Sequence, residues 1–512
     1  MEDLPATRPC ASVLSLSFPL QSLWDASSPH SPQAFWDLEQ TVQTAASRVA
    51  DQMMGHHLTQ LHQDADFVRK AVKQAMDGSP VALVNKGLKE VSVLLSGGTR
   101  ILLRTPYLLP DRRGKRGRKR TKRGPKGVGR YPVLKAVGIR DGVSPATRSQ
   151  IALYTVQAGS YQEAVNLLGQ RGLRVDPSLL KRIACTTAQT DTTLREGALA
   201  AALQMPVSAA GPLSGTRVRI SIDGGRVRTR KRRKGRKTGK GRHAFDTPWR
   251  EPRVLVIDLL DEEGHTDPLR LPLYDVLLGD ADATFALALG YLRLLGAAYA
   301  QVVEFIADGA EWIWERADTL RQQAEIPKAR WVEVIDFYHA SEHLHEAVEL
   351  CRSLSRKTRD RLFRQLRHTL RTDPFGVALV IQRLRQEAKT RRGKKMNKAI
   401  AYFQTHAHRM RYVHFDHCKL PVGSGQVESA VRRVINLRFK APGTFWNEVH
   451  VEGLMHLRAC FKAGRWKKMM QRVLSQTFTI PSFDPLTPGQ QATLPLEIQS
   501  VAENGQEISR AA

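Results

Sequence analysis

The run VVEFIA at positions 302–307, closed by Asp308-Gly309, limits the possible folds more than any other stretch of the chain. Its length and β-branched residues mark a buried strand that ends in a turn. A carboxylate there stands at the carboxyl end of a central strand, where open α/β sheets hold their ligands. Trp312 and Trp314 follow in the first turns of a predicted helix. An isolated Asp-Gly is equally consistent with an aspartate that merely caps the helix. A chemical role therefore requires partners elsewhere in the chain.

Two such partners are legible. TRVRISI at 216–222 alternates polar and apolar residues as a half-buried strand does, and it ends on Asp223. Strands at 253–260 and 269–278 follow, then a helix at 282–295 with Phe285, Leu289, Leu292 and Leu295 on one face, then the 302–307 strand. A helix to about 324 and a fifth strand at 330–337 complete the series. After a long helical stretch, Gly423 and Gly425 open a helix that carries Glu428. Three antiparallel strands, a helix, a fourth strand, a helix and a fifth strand predict an α/β fold: a ribonuclease-H-like mixed five-stranded sheet flanked by helices, with an all-α insertion and a helical N-terminal region. In that order strands one and four are neighbours, so Asp223 and Asp308 meet and Glu428 is brought over them. Clustered carboxylates call for a cation, and hard oxygen ligands suit Mg²⁺ or Mn²⁺. Two such ions roughly 3.5–4 Å apart would serve an in-line phosphoryl transfer.

Charge indicates the substrate. The 512 residues hold 79 Lys+Arg against 49 Asp+Glu, a formal net charge of +30, which favours a polyanion such as DNA. The expected organisation is a helical N-terminal module at 1–100, with a hairpin around Gly97-Gly98, then a basic linker at 101–131 and a helix-turn-helix-like region at 132–210. The catalytic core occupies 211–343 and 420–476, interrupted by a basic helical insertion at 344–419, and a flexible tail runs through 477–512. Expected phosphate contacts are Lys115, Arg116, Arg118, Lys119 and Arg120 in the linker, and Lys181 and Arg182 in the second helix of the helix-turn-helix. A basic hairpin loop adds Arg226, Arg230, Arg232 and Arg233, and the Glu428 helix adds Arg432 and Arg433. Arg432 stands four residues after Glu428, where an intrahelical ion pair is the alternative. The five cysteines are scattered with no CxxC pair, so neither a disulfide framework nor a zinc knuckle is indicated. Without a stretch of about 18 apolar residues or a basic, apolar leader, the expectation is a cytoplasmic, nucleoid-associated protein off the membrane.

The segments SIDGGRVRTR with WREPR, VVEFIADGAEWIW, VIDFYHASEHL and GSGQVESAVRRVINLRFK together resemble the transposases of Kra-type bacterial insertion sequences, a branch of the DDE transposases. The resemblance covers about 217–468. It implies that Asp223, Asp308 and Glu428 are the catalytic, metal-binding triad, and that the protein nicks the 3′ ends of its element and joins them to target DNA, as a homodimer or higher oligomer on paired ends. The family's upstream region often carries a cysteine-rich zinc element, and the basic run at 111–130 has no such cysteines.

Other readings compete. The same fold without the chemistry would be a transposase-derived DNA-binding protein. His339, Glu342 and His343 match H-x-x-E-H, a zinc peptidase pattern that needs a helix and a third ligand. Asp336 and His339 otherwise lie near the metal site or contact phosphate, or they cap the next helix. Trp312 and Trp314 either stack on an unpaired base or pack the core.

Overall fold

The computed structural model describes residues 29–111, 129–237, 239, 241, 243–388 and 393–487. The chain forms two compact units, Met1–Ala184 and Cys185–Ala512.

In the first unit, Ser31 caps α1 (Pro32–Gln63) through the Ala34 amide, and Asp64 ends α1 while capping α2 (Ala65–Asp77). A long antiparallel hairpin follows, β1 (Leu83–Leu94) and β2 (Arg100–Pro110). Its turn is tied to α1 by the buried Asp51, which accepts from the Gly97 and Thr99 amides at 2.9 and 2.8 Å. Gly98 supplies the positive φ that the turn requires. The hairpin around Gly97-Gly98 is therefore present but longer than expected. The expected helical module is half strand beyond Asp77, and 101–110 is strand rather than basic linker. Alternating aliphatic residues such as Ile101 and Leu103 produce that strand before the charge run begins. Four helices complete the unit: α3 (Pro132–Ala136), α4 (Pro145–Gln157), α5 (Tyr161–Gln170) and the start of α6 (Pro177–Gln204). Ser160 and Asp176 cap the last two, and Ile151, Leu168, Leu173, Leu180 and Ile183 fill the space between them. The predicted second helix of the helix-turn-helix, Pro177–Ile183, is thus the first quarter of a much longer helix.

The second unit is built on a mixed five-stranded sheet flanked by helices. Its strands are β3 (Arg217–Gly224), β7 (Arg253–Leu260), β8 (Leu273–Leu277), β9 (Val302–Ala307) and β10 (Trp331–Ile335), in the order β10-β9-β3-β7-β8. β3 is antiparallel to β7 and parallel to β9, and β10 is parallel to β9. Between β3 and β7 the chain forms a small sheet of β4 (Val227–Arg232), β5 (Phe245–Asp246) and β6 (Trp249–Arg250), joined later by β11 (Trp446–Asn447). The expected basic hairpin loop is therefore partly strand. Val227 and Thr229 turn inward while arginines turn out, a two-residue alternation hidden within the charge run.

The helices are α7 (Ala281–Leu295), α8 (Glu311–Gln323), α9 (Phe337–Glu349), α10 (Arg356–Thr372), α11 (Gly376–Glu387), α12 (Lys394–Thr405), α13 (Tyr412–His417), α14 (Gly425–Val431), α15 (Leu437–Phe439), α16 (Glu448–Lys462) and α17 (Trp466–Ser475). A π-helical turn, Arg432–Asn436, joins α14 to α15. The all-α insertion does not form a core of its own. Leu362, Leu366, Leu370, Leu384, Ile400 and Phe403 join the same apolar core as Phe305, Ile306 and Val334 of the sheet. Part of the expected flexible tail is packed as well: Phe483 is buried in that core, and its carbonyl accepts from Arg270 at 2.9 Å.

Candidate active site

β3 and β9 run side by side in parallel, with Ser221 opposite Ile306, so both chains leave the sheet at the same end. Asp223 comes two residues after Ser221, and Asp308 two after Ile306. Each is fixed by a local amide. Gly224 N–H donates to Asp223 Oδ1 at 2.6 Å, and Ala310 N–H donates to Asp308 Oδ1 at 2.9 Å. The Asp308 carbonyl also accepts from Trp314 Nε1 at 2.7 Å, which holds the turn against α8.

Glu428 is brought to the same end by a clip. Asp336, fully buried, caps α9 by accepting from the Tyr338 and His339 amides at 2.6 and 2.9 Å. Its second oxygen accepts from the Ser424 amide, and Phe337 N–H donates to the Val422 carbonyl at 2.8 Å. The loop ahead of α14 is thus stitched to the end of β10. Ser424 Oγ then donates to Glu428 Oε1 at 3.1 Å. Asp336 therefore caps α9, and its hydrogen bonds to backbone amides position the loop that carries Glu428.

The electrostatics show that the three acids share one site. Burial pushes the Asp223 carboxyl up to about 6 against the pull of the Gly224 amide, and the Asp308 and Glu428 carboxylates add to the rise. His339 is lifted above its ordinary value although burial opposes this, because Asp336, Asp308, Glu342 and Glu428 surround it with negative charge. Asp223 and Asp308 are half-buried and Glu428 is exposed. The triad is not drawn within 4.8 Å of one another. An all-oxygen set of Asp223, Asp308 and Glu428, in which the neighbouring carboxylates add to the rise at Asp223, has the donor chemistry that hard divalent cations take, and a two-ion site spreads its ligands wider than a one-ion site.

One residue at this site was not predicted. Tyr402, on α12 of the insertion, lies so close above Gly309 that a Cβ there would meet its ring carbon at 2.3 Å and its hydroxyl at 2.6 Å. Burial and then the nearby Asp308 and Asp336 push its hydroxyl well above the ordinary tyrosine range, and that hydroxyl is buried with no hydrogen-bond partner. The ring lies tilted over His343 with centroids 4.1 Å apart. Only the glycine of Asp308-Gly309 hinted at such a close approach.

Of the two alternatives for Trp312 and Trp314, base stacking or core packing, both rings take the core. Trp314 is buried edge-on to Phe305 at 5.7 Å with Arg409 over its ring at 4.5 Å. Trp312 meets Phe285 edge-on at 6.1 Å, with Arg253 over it at 4.4 Å. Among the expected phosphate contacts, Arg226, Arg230, Arg232 and Arg233 are exposed, Arg233 in an ion pair with Asp246. Arg432 is exposed too, but Arg433 is turned into the fold, its guanidinium donating to the Tyr274 hydroxyl at 2.8 Å. In the first unit, Lys181 is half-buried and Arg182 is exposed, 3.4 Å from Asp141. Lys115, Arg116, Arg118, Lys119 and Arg120 lie outside the described residues.

The H-x-x-E-H motif does not assemble a zinc site. His339 and His343 each turn to the acid three residues on, Glu342 at 3.3 Å and Glu346 at 3.9 Å. Among the described residues, the one His/Cys/Asp/Glu group drawn within 4.8 Å is the buried Asp191, His456 and Cys460. Its acid is already filled: Asp191 takes two bonds from Arg472, at 2.8 and 2.9 Å, and one from His456 Nε2 at 2.9 Å. His456 Nδ1 meets Asp275 at 2.8 Å, so a carboxylate sits on each ring nitrogen, and the imidazole is held protonated rather than as a metal ligand. Among the described residues, no helix is long and apolar enough to cross a membrane. No protein-family model, no curated protein and no solved structure matches the chain.

Proposed function

We propose that the protein is a DNA transposase of the DDE type, similar to those of Kra-type insertion sequences, which cuts and joins DNA strands by metal-dependent phosphoryl transfer. The convergence of Asp223, Asp308 and Glu428 at the ends of adjacent parallel strands carries this reading. A ribonuclease-H-like core is supported by a central strand antiparallel to the second and parallel to the fourth, in the order third, second, first, fourth, fifth. The net charge of +30 suits a DNA substrate.

Asp223, Asp308 and Glu428 would hold the Mg²⁺ or Mn²⁺ ions. The chemistry supplied there by two such ions is activation of a water or 3′-hydroxyl and stabilisation of the departing oxygen. The chain's own groups do the rest. The Gly224 and Ala310 amides fix two of the carboxylates, and the Asp336 clip with Ser424 sets the third. Tyr402 offers the hydroxyl proton of a buried, otherwise unpartnered group to a phosphate oxygen beside Asp308. His339, its proton affinity raised by the acids, places positive charge where a phosphate would lie.

The test is cleavage and strand joining of a labelled duplex carrying the flanking inverted repeats, with Mg²⁺ or Mn²⁺. Loss of a ligand removes several kcal/mol of transition-state stabilisation, so Asp308→Asn is expected to lower the rate about a thousandfold or more while DNA binding persists. Cleavage that survives Asp308→Asn sinks the assignment of the triad. A wild type that binds the ends and never cuts them leaves a transposase-derived DNA-binding protein as the better account.

A further inference from the structure

β4 begins four residues after Asp223 and carries a face that the acid site does not use. Its inward residues, Val227 and Thr229, are fully buried, and Arg226, Arg228, Arg230 and Arg232 alternate on the outer side. Aromatic rings from three other segments line up with those arginines. The Arg228 guanidinium lies 5.0 Å from the Trp249 ring and 5.8 Å from Phe445, and Arg230 lies 4.9 Å from Phe245. Phe245 and Phe445 meet with centroids 5.9 Å apart. The result is a continuous row, Trp249, Arg228, Phe445, Phe245, Arg230, that spans the β4–β5–β6 ribbon. Trp249 and Phe245 are 49% and 39% exposed.

The row gathers an exposed tryptophan and phenylalanine into one patch rather than scattering them singly, and such a patch marks an interaction surface. From here we infer that this row is a stacking platform for the unpaired bases of a single DNA strand. The charge is cationic along the whole row, which selects a polyanion. Arg232 adds a donor at the end, hydrogen-bonded to His243 at 2.6 Å. The flat faces distinguish single strand from duplex, because phosphate contact alone needs no exposed ring and duplex bases are stacked on each other out of reach. Guanidinium planes and rings spaced along one strand match successive bases, and stacking tolerates any sequence. Base stacking was one of two alternatives for Trp312 and Trp314; both take the other, packing against the core, Trp314 buried and Trp312 half-buried. The inference rests on the proposed transposase reading in one respect only: the strand held here is the one delivered to Asp223, Asp308 and Glu428.

Binding is measured by fluorescence anisotropy with full-length protein in EDTA, so that no cutting intervenes. The probes are a dye-labelled oligothymidylate and a duplex of equal length. Trp249→Ala is expected to weaken binding of the oligothymidylate about tenfold, with duplex affinity and the salt dependence of binding unchanged. Trp249→Tyr restores the affinity by keeping a ring face, which separates stacking from misfolding. Arg228→Lys, which keeps the charge and loses the plane, weakens the single strand and spares the duplex. Equal loss on both probes, or no loss on the oligothymidylate, overturns the platform. Neither result bears on the triad, since Asp308→Asn cleavage is read on a different substrate with different residues.

Discussion

Two groups of inward-facing acids in the second unit are neutralised in opposite ways. Asp191 and Asp275 are each met by positive charge from other elements. Asp275 accepts from Arg195 at 2.8 Å, from His456 at 2.8 Å and from the Tyr291 hydroxyl at 2.7 Å. Burial pushes the Asp275 carboxyl up, yet Arg195 and protonated His456 hold it well below the usual carboxylate range. This network stitches α6, β8, α7, α16 and α17 together. Among the described residues, the acids at the ends of β3 and β9 form no ion pair with an arginine or lysine, and the positive group near them is His339. Asp223 rises to about 6 with Asp308 and Glu428 among the causes. A buried acid matched by guanidinium is architecture; an acid whose carboxyl is pushed up by burial and by neighbouring carboxylates is the kind of group that the proposed cation site would draw on. Proximity alone ranks them the wrong way round, because the tighter of the two clusters is the one already filled.

The largest effect that sharpens this contrast is on folding. Asp275→Asn strands the guanidinium of Arg195, only 2% exposed, and the imidazolium of His456, and is expected to cost about 3–5 kcal/mol in urea unfolding. Chelators are expected to leave the stability of the wild-type network unchanged. A loss under about 1 kcal/mol, or a fall in wild-type stability on chelation traced to His456, breaks the comparison.

Glu304 sharpens it next, as an acid neutralised by neither route. It is fully buried on β9, both carboxylate oxygens lack a partner, and burial pushes it up to about 8 despite the nearby Arg219, which is committed to Asp258 and Thr266. Below its ordinary value of 4.5 it is protonated in folded and unfolded chains alike. Between 4.5 and about 8 the unfolded chain sheds a proton that the folded chain keeps, so stability falls through that window and levels off above it. Glu304→Gln removes this fall. The variant should match wild type near pH 4.5 and exceed it at pH 8 by roughly 2–4 kcal/mol in denaturant unfolding. Parallel stability curves for the two proteins would show that Glu304 is ionised in the fold.

The smallest effect lies with Tyr402. Tyr402→Phe deletes a hydroxyl that bonds to nothing in the protein, so the fold should be as stable as before. The rate of strand cleavage should nevertheless fall about tenfold, the worth of one hydrogen bond of about 1–1.5 kcal/mol to the reacting phosphate. Single-turnover cleavage alongside DNA binding measures it, and an unchanged rate removes Tyr402 from the chemistry.

Much of the second unit was legible because its signals are local. Strand-ending Asp223 and Asp308 stand out as acids after apolar runs, and the helix that carries Glu428 opens on visible glycines. The alternation in VRTRKR is present in the sequence but was not read, because the charge density of 226–242 masked the two-residue period and suggested a loop. The insertion was recognised as helical, whereas its sharing of the sheet's core was not, since an amphipathic stripe at Leu362, Leu366 and Leu370 states that it needs a partner without naming one.

By itself, then, the sequence determined the periodicities, the caps and the acids at strand ends, because each depends on residues a few positions apart. The tertiary structure alone decided which side chains face each other across long separations: Tyr402 over Gly309, Arg433 against Tyr274, Phe445 beside Arg228, His456 between two aspartates. Those choices follow from strand order and helix packing, which bury the same tryptophan or arginine in one place and expose it in another, and local pattern carries no trace of that difference.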